Sequence, residues 1–112
     1  MIITYKYYKN LKVKMFLGRR VIGEMLLIDR EQPGAYISFL EIYPKHRNKG
    51  HGSIFLQEVE RYLWENGCEG ISLKCAVDNK NAQRFYKANG FFICALSHLG
   101  EKPYYWMAKQ IN

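Results

Sequence analysis

Two stretches hold most of the chemistry open to this chain. The first, Pro44-Lys45-His46-Arg47-Asn48-Lys49-Gly50-His51-Gly52-Ser53, is a basic loop with two glycines. It follows an apolar run, Ala35 to Tyr43, and leads into an amphipathic run that begins near Gly50. Strand, basic loop and helix N-terminus in that order make an anion site. The first N–H groups of a helix have no partners inside it, and the macrodipole adds about half a positive charge there. Gly50 and Gly52 place no Cβ between a phosphate and those amides, and Arg47 and Lys49 bring formal charge close by. The spacing is neither a Walker loop nor the dinucleotide Gly-x-Gly-x-x-Gly. The second stretch is Asn79-x-x-Ala82-x-x-Phe85-Tyr86-x-x-x-Gly90-Phe91. Packing alone explains Phe85 as core, Ala82 and Tyr86 as its helix neighbours and Gly90 as a C-cap. It does not explain a tyrosine rather than a phenylalanine at position 86.

The elements that must position these stretches follow from periodicity. Ile2 to Tyr8 is rich in Ile, Thr and Tyr and predicts a strand, followed by a turn at Lys9-Asn10. Leu11 to Leu17 alternates apolar residues with Lys12 and Lys14, a half-buried strand. Gly18-Arg19-Arg20 turns the chain into a second hairpin arm, Val21 to Ile28, and Asp29 to Gly34 is a loop. In the run Ala35 to Tyr43, Ile37 and Phe39 share one face, and Leu40 and Ile42 the other. A strand covered on both sides would account for that, and so would a bulge near Phe39-Leu40.

From Gly50 to Asn66, Phe55, Val59, Tyr62 and Leu63 form a helical stripe, with Gln57, Glu58, Glu60, Arg61 and Glu65 on the wet face. Asn66-Gly67 is its stop. Ile71 to Val77 is the next strand, parallel to the one before the helix by the crossover rule. A short helix, Ala82 to Asn89, a strand, Phe91 to Leu99, a turn, Gly100 to Pro103, and a closing strand, Tyr104 to Ile111, complete the chain. The order β-β-β-β-α-β-α-β-β indicates one α/β domain spanning residues 1–112, with a mixed, mostly antiparallel sheet and two main helices.

Composition narrows the class. The chain has 112 residues, 48% of them hydrophobic and 24% charged, which suits one globular domain. No apolar run nears the roughly 18–20 residues of a membrane span, and the N-terminal residues lack a signal-peptide layout. Three cysteines, Cys68, Cys75 and Cys94, are an odd number without metal-ligand spacing, so reduced thiols in the cytoplasm and no metal are expected. The net charge of +7 is spread along the chain. Such a charge suits nucleic acid but also a polyphosphate cofactor or an acidic acceptor protein, so charge alone does not choose, and nucleic acid is not the expected partner.

The two motifs together, in this order and on these elements, resemble the GNAT superfamily of N-acetyltransferases from about Leu11 to the C-terminus. The first resembles that family's acetyl-CoA pyrophosphate loop. The resemblance implies a V-shaped opening between the strand ending at Tyr43 and the strand Ile71 to Val77, with the pantetheine arm inside it. Backbone groups around Leu40, Ile42 and Tyr43 would pair with that arm. Amides of Arg47, Asn48, Lys49, Gly50, His51, Gly52 and Ser53 would hold the pyrophosphate, and Asn79 would bond the arm from the other side. Tyr86 matches the tyrosine that protonates the departing CoA thiolate. A phenol with a pKa of about 10 is protonated at neutral pH and close to a thiol in acidity, so that transfer would be nearly balanced.

The general base is less defined. An acceptor amine of pKa about 10.4 is roughly 0.04% neutral at pH 7, about 4.6 kcal/mol that a base or water relay must offset. Some members carry a glutamate on the strand Ile71 to Val77, where this chain has Lys74. Glu41 is the best-placed carboxylate. Glu24 and a chain of waters are alternatives, while His46, His51 and His98 are weaker candidates.

A further departure is that about ten residues precede the first hairpin, too few for the two helices that usually wall the acceptor site. The acceptor groove is then open to a protein or peptide amine, or a second copy supplies the wall. A small-molecule amine is the other acceptor class. The aromatic residues Tyr5, Tyr7, Tyr8, Tyr104, Tyr105 and Trp106 in the terminal strands predict a homodimer. A catalytically silent module of this fold, binding a protein or nucleic acid through its basic surface, is the competing reading.

Overall fold

A computed structural model describes residues 1–7, 9–29, 34–98, 100 and 102–111. The expected strand end at Tyr8, the loop over 30–33, the strand end at Leu99 and Glu101 of the last turn lie outside the described residues. The elements are β1 (Ile2–Tyr7), β2 (Asn10–Leu17), β3 (Arg20–Asp29), β4 (Ala35–Ile42), a 3-10 turn (Pro44–His46), α1 (His51–Glu65), β5 (Gly70–Ala76), α2 (Lys80–Ala88), β6 (Phe92–Ser97) and β7 (Tyr104–Gln110). The second helix starts two residues earlier than its apolar positions suggest, because Asn79 caps it by accepting from the Ala82 N–H at 3.1 Å. β6 is shorter at both ends than the expected strand.

The strands form one sheet in the order β1-β2-β3-β4-β5-β7-β6. Every neighbouring pair is antiparallel except β4 and β5, which are parallel as the crossover requires. That parallel ladder has three rungs only, Ala35↔Ile71, Tyr36↔Ser72 and Ile37↔Leu73. Beyond Ile37 and Leu73 the two strands part.

The parting coincides with a bulge. Leu27 faces Ile37 and Leu26 faces Phe39, so Ser38 is the extra residue on β4. The bulge therefore lies one residue earlier than the sequence indicates, and it reassigns the faces. Ile37, Leu40 and Ile42 lie on the core side, opposite Leu27, Met25 and Gly23. Phe39 is turned to the other side and is 43% exposed. The pairing of Ile37 with Phe39 on one face is thus corrected.

Both helices pack on one face. Phe55, Leu56, Val59 and Leu63 of α1 are buried against Val13, Met25, Ile71, Leu73 and Met107. Each such side chain contributes about 1.5–3 kcal/mol. Leu56 widens the expected stripe, and Tyr62 is only partly buried. Ala82, Phe85 and Tyr86 of α2 pack against the same core. Glu60 leaves the expected wet face, since its carboxylate pairs with the Lys109 ammonium of β7 at 2.7 Å. The same ammonium donates to the Asn89 carbonyl at the end of α2, at 2.8 Å, so one charge ties α1, β7 and α2 together. On the opposite face lie Ile3, Tyr5, Lys12, Lys14, Glu24, Leu26, Tyr36, Phe39 and Trp106, and among the described residues no helix covers them.

Gly23 lies where β3 must pass close to β4 and α1. A Cβ there would sit 2.8 Å from the Glu41 carbonyl oxygen and 2.8 Å from Ile42 Cδ1. Gly23→Ala is expected to destabilise the domain by about 1–3 kcal/mol through overpacking. Urea denaturation checks this, and an unchanged midpoint would contradict the packing described.

Candidate functional site

Beside the end of β4 that has left β5 lies a cleft of about 590 Å³, and no β5 residue lines it. Its lining brings together the ends of β4, the basic loop, the start of α1 and one side of α2. Of the residues singled out from the sequence, Leu40, Glu41, Ile42, Arg47, Asn48, Gly50, His51, Gly52, Ser53 and Tyr86 line it. Tyr43, Lys49 and Asn79 do not, whereas Phe39, His46, Asn81, Ala82 and Phe85 do.

The loop reaches the helix through two left-handed residues, Asn48 at φ 60° and Gly50 at φ 83°. Gly50 is the N-cap of α1 and offers no side chain to it. The Ile54 N–H is the first to find an intrahelical acceptor, Gly50 O at 3.3 Å. The amides of His51, Gly52 and Ser53 are left at an uncapped N-terminus with no acidic residue in its first turn. A Cβ on Gly50 would meet nothing within 4 Å, so glycine serves the left-handed turn there. Gly52 has a different reason. Its Cβ position is 3.0 Å from the Phe85 ring, so the missing side chain lets the first turn of α1 rest on α2.

Cations surround the turn. His46 is held below its usual pKa, first by desolvation and then by the charges of Lys49, Arg20, His51 and Lys45. A bound anion would relieve that crowding. Some expected groups are already engaged. The Tyr43 N–H donates to Ile22 O at 2.8 Å, so it is not free for a ligand. The Arg47 Nε donates to Ile42 O at 2.7 Å, and its Nη2 lies 3.3 Å from Glu41 Oε2. Arg47 thus binds the candidate base as well as flanking the anion seat. Glu24 stands directly across from Glu41 on β3. The two carboxylates would repel, and Arg47 and Lys12 (3.8 Å from Glu24) offset this. Both candidate bases are therefore neighbours. His98, after β6, is exposed and outside the cleft.

Tyr86 sits half-buried on α2, edge-on to Phe85 (ring centroids 5.3 Å apart) and Phe91 (5.5 Å). Burial, with a smaller contribution from Cys75, pushes its hydroxyl up to about 12. The expected near-balance with a thiol is corrected accordingly. Against an ordinary thiol of pKa about 8.5 the gap is ~3.5 units, about 5 kcal/mol. A thiolate drawn into the same desolvated corner rises in basicity for the same reason, which narrows the gap. Cys75, beside it, is buried and its thiol is likewise pushed up by desolvation, so it stays neutral at pH 7. All three cysteines are free thiols. Among the described residues no three His, Cys, Asp or Glu side chains group as a metal site would require, and no helix is long and apolar enough to cross a membrane.

The family model of the acetyltransferase (GNAT) family matches residues 9–91. The chain belongs to the GNAT family. An N-alpha-acetyltransferase MAK3 of Arabidopsis thaliana is 28% identical over 97 residues, which cover 80% of this chain and 51% of that protein. This GNAT domain therefore spans about half the length of the curated relative it matches. Among solved structures, the ribosomal-protein-S18-alanine N-acetyltransferase of Escherichia coli shares the fold at a TM-score of 0.81 and 16% identity, covering 96% of this chain and 72% of that one. A Bacillus anthracis structure in complex with acetyl coenzyme A gives 0.84 and 20%, covering 95% and 65%. An aminoglycoside 6'-N-acetyltransferase complexed with coenzyme A gives 0.81 and 17%, covering 94% and 74%. The mixed α/β fold of this GNAT domain is thus the one these acetyltransferases share.

The uncapped turn of α1 gives the GNAT domain a test in which two effects have opposite signs. Ser53→Glu places a carboxylate in the first turn, where the helix dipole favours it by about 0.3–1 kcal/mol. The same carboxylate occupies the seat an anion needs. Coenzyme A affinity measured by calorimetry is expected to fall at least tenfold while the urea midpoint holds or rises. Unchanged affinity would remove this turn from the binding site.

Proposed function

We propose that this domain is an acetyl-CoA-dependent N-acetyltransferase whose acceptor is the α-amine of a peptide or protein. The observation that carries the reading is a cleft in which the parted end of β4, the uncapped first turn of α1 and Tyr86 meet. Supporting it are the acetyl-CoA and CoA complexes of proteins with this fold. The peptide acceptor is supported by the N-alpha-acetyltransferase relative and by the open face of the sheet.

In this reading the amides of His51, Gly52 and Ser53 hold the pyrophosphate, and Arg47 and Lys49 supply positive potential. The free edges of β4 and β5 beyond Ile37 and Leu73 hold the pantetheine arm as an added strand would be held. Glu41 and Glu24 take the proton from the acceptor ammonium, directly or through water. The amine nitrogen then attacks the thioester carbonyl carbon, the new C–N bond forms and the C–S bond breaks. The Tyr86 hydroxyl gives its proton to the leaving sulfur, and the proton shed by the amine returns through solvent to the phenolate. With its pKa near 12, Tyr86 is fully protonated at neutral pH. Free cysteines fit a reducing cytoplasm.

The test is mass spectrometry of peptides incubated with acetyl-CoA and either the wild type or Tyr86→Phe. Wild type should add one acetyl group at the α-amine. The variant should bind acetyl-CoA within about threefold of wild type and lose about 10²–10⁴-fold in kcat. A variant within twofold of wild-type kcat, where chemistry limits the rate, would remove Tyr86 from the mechanism.

The reading extends to a homodimer. Ile3 and Tyr5 on β1, and Phe92 and Leu96 on the opposite edge strand β6, are exposed apolar side chains that a second copy would cover. The side chain of Tyr7, and Tyr8, lie outside the described residues. Tyr105 packs against the core instead of lying free. Light scattering across tens of micromolar should show twice the monomer mass, and a monomer throughout would end this part of the proposal.

A further inference from the structure

The uncovered face of the sheet is not evenly charged where the strands part. On the β4 side stand Glu41 and Glu24, each answered by its own cation, Arg47 and Lys12. On the β5 side stands Lys74, the first residue beyond the last rung with β4. Strand alternation sets Lys74 on the uncovered face and Cys75, its neighbour, on the Tyr86 side. No carboxylate among the described residues lies within ion-pair distance of Lys74.

Its ammonium rests on an aromatic platform. It lies 4.8 Å from the Tyr104 ring centroid and 5.0 Å from that of Trp106. The platform continues through Trp106 to Tyr36, whose ring is 6.0 Å away. Tyr104 is held below its usual pKa, first by a hydrogen bond to Ser97 and also by the Lys74 charge. Such rings fix where the cation sits without neutralising it, so it keeps its capacity to pair with an anion.

The geometry points to Lys74 as a specificity residue of the acceptor site, which selects peptide N-termini carrying an acidic side chain in the first or second residue. This rests on the peptide-acceptor reading above. The argument is charge complementarity across the split. The acceptor amine must come to the thioester between the β4 and β5 arms, near the carboxylates of Glu41 and Glu24. The strands are about 4.8 Å apart where they still pair and wider beyond. A carboxylate one side chain away from the α-amine can therefore span from the acidic arm to Lys74, while the rings of Trp106 and Tyr104 take its apolar portion. A basic side chain in the same place would face Lys74 directly and be disfavoured. At the same time, a lysine seated on two rings serves this face as a reader of charge and not as the base that a glutamate there would supply.

The experiment compares peptides that begin Ser-Glu, Ser-Gln and Ser-Lys, and Glu-Ser against Gln-Ser, with the full chain and acetyl-CoA. Wild type should show kcat/KM about five- to tenfold higher for the acidic peptides than for their neutral counterparts, and lowest for Ser-Lys. Lys74→Gln should level the acidic and neutral peptides. Lys74→Glu should invert the order, with Ser-Lys above Ser-Glu. Because each ratio is taken within one variant, a general loss of activity does not enter it. Circular dichroism and coenzyme A affinity confirm that each variant is folded. Equal rates for all wild-type peptides, or an order unchanged in Lys74→Glu, would overturn the assignment of Lys74 alone. Acetylation of small amines but of no peptide would overturn the peptide-acceptor reading and this inference with it.

Discussion

The rest of the structure depends on β4 and β5 letting go of each other after three rungs. A parallel pair inside a sheet normally continues for its full length, because unpaired N–H and C=O groups are costly to bury. Here the extra residue at Ser38 bends β4 away, and the groups left over face a cleft instead of a core. The same bulge turns Phe39 out and brings Leu40 and Ile42 onto the α1 side. Without that slip the strand would seal against β5.

Much of this was legible in the residues. The two-residue and 3.6-residue periods place seven strands and two helices, and the paired motifs point to the cleft. What stayed hidden has a physical cause in each case. The bulge at Ser38 carries no glycine or proline, so alternation alone assigns Ile37 and Phe39 to one face. Arg47 reads as a phosphate ligand because nothing in a linear sequence shows that the chain folds back to set it against Glu41. Gly52 reads as space for a phosphate, yet its missing Cβ is the space that Phe85 fills. Asn79 reads as a ligand to the arm, while its Oδ1 caps α2. The shift of Tyr86 needs burial, which depends on Phe91 and Cys75 arriving from other elements.

The division of the sheet into a helix-covered face and an uncovered one separates two electrostatic tasks. The loop side concentrates cations around helix amides, a setting for phosphate. The uncovered side alternates charges, with Lys12, Glu24, Glu41 and Arg47 in sequence across three strands and the loop after β4, and Lys74 beyond the gap. The net charge of +7 is spread along the chain, and these two regions arrange part of it differently.

The contact between Gly52 and Phe85 has a mechanical consequence. The turn that would seat a pyrophosphate rests on the residue next to Tyr86, and the Lys109 ammonium clamps the far ends of the same two helices. The distance from anion seat to phenol is therefore set by solid packing and not by a hinge. The two helices are thereby braced against each other at both ends, so the start of α1 and the Tyr86 helix are positioned as one packed unit.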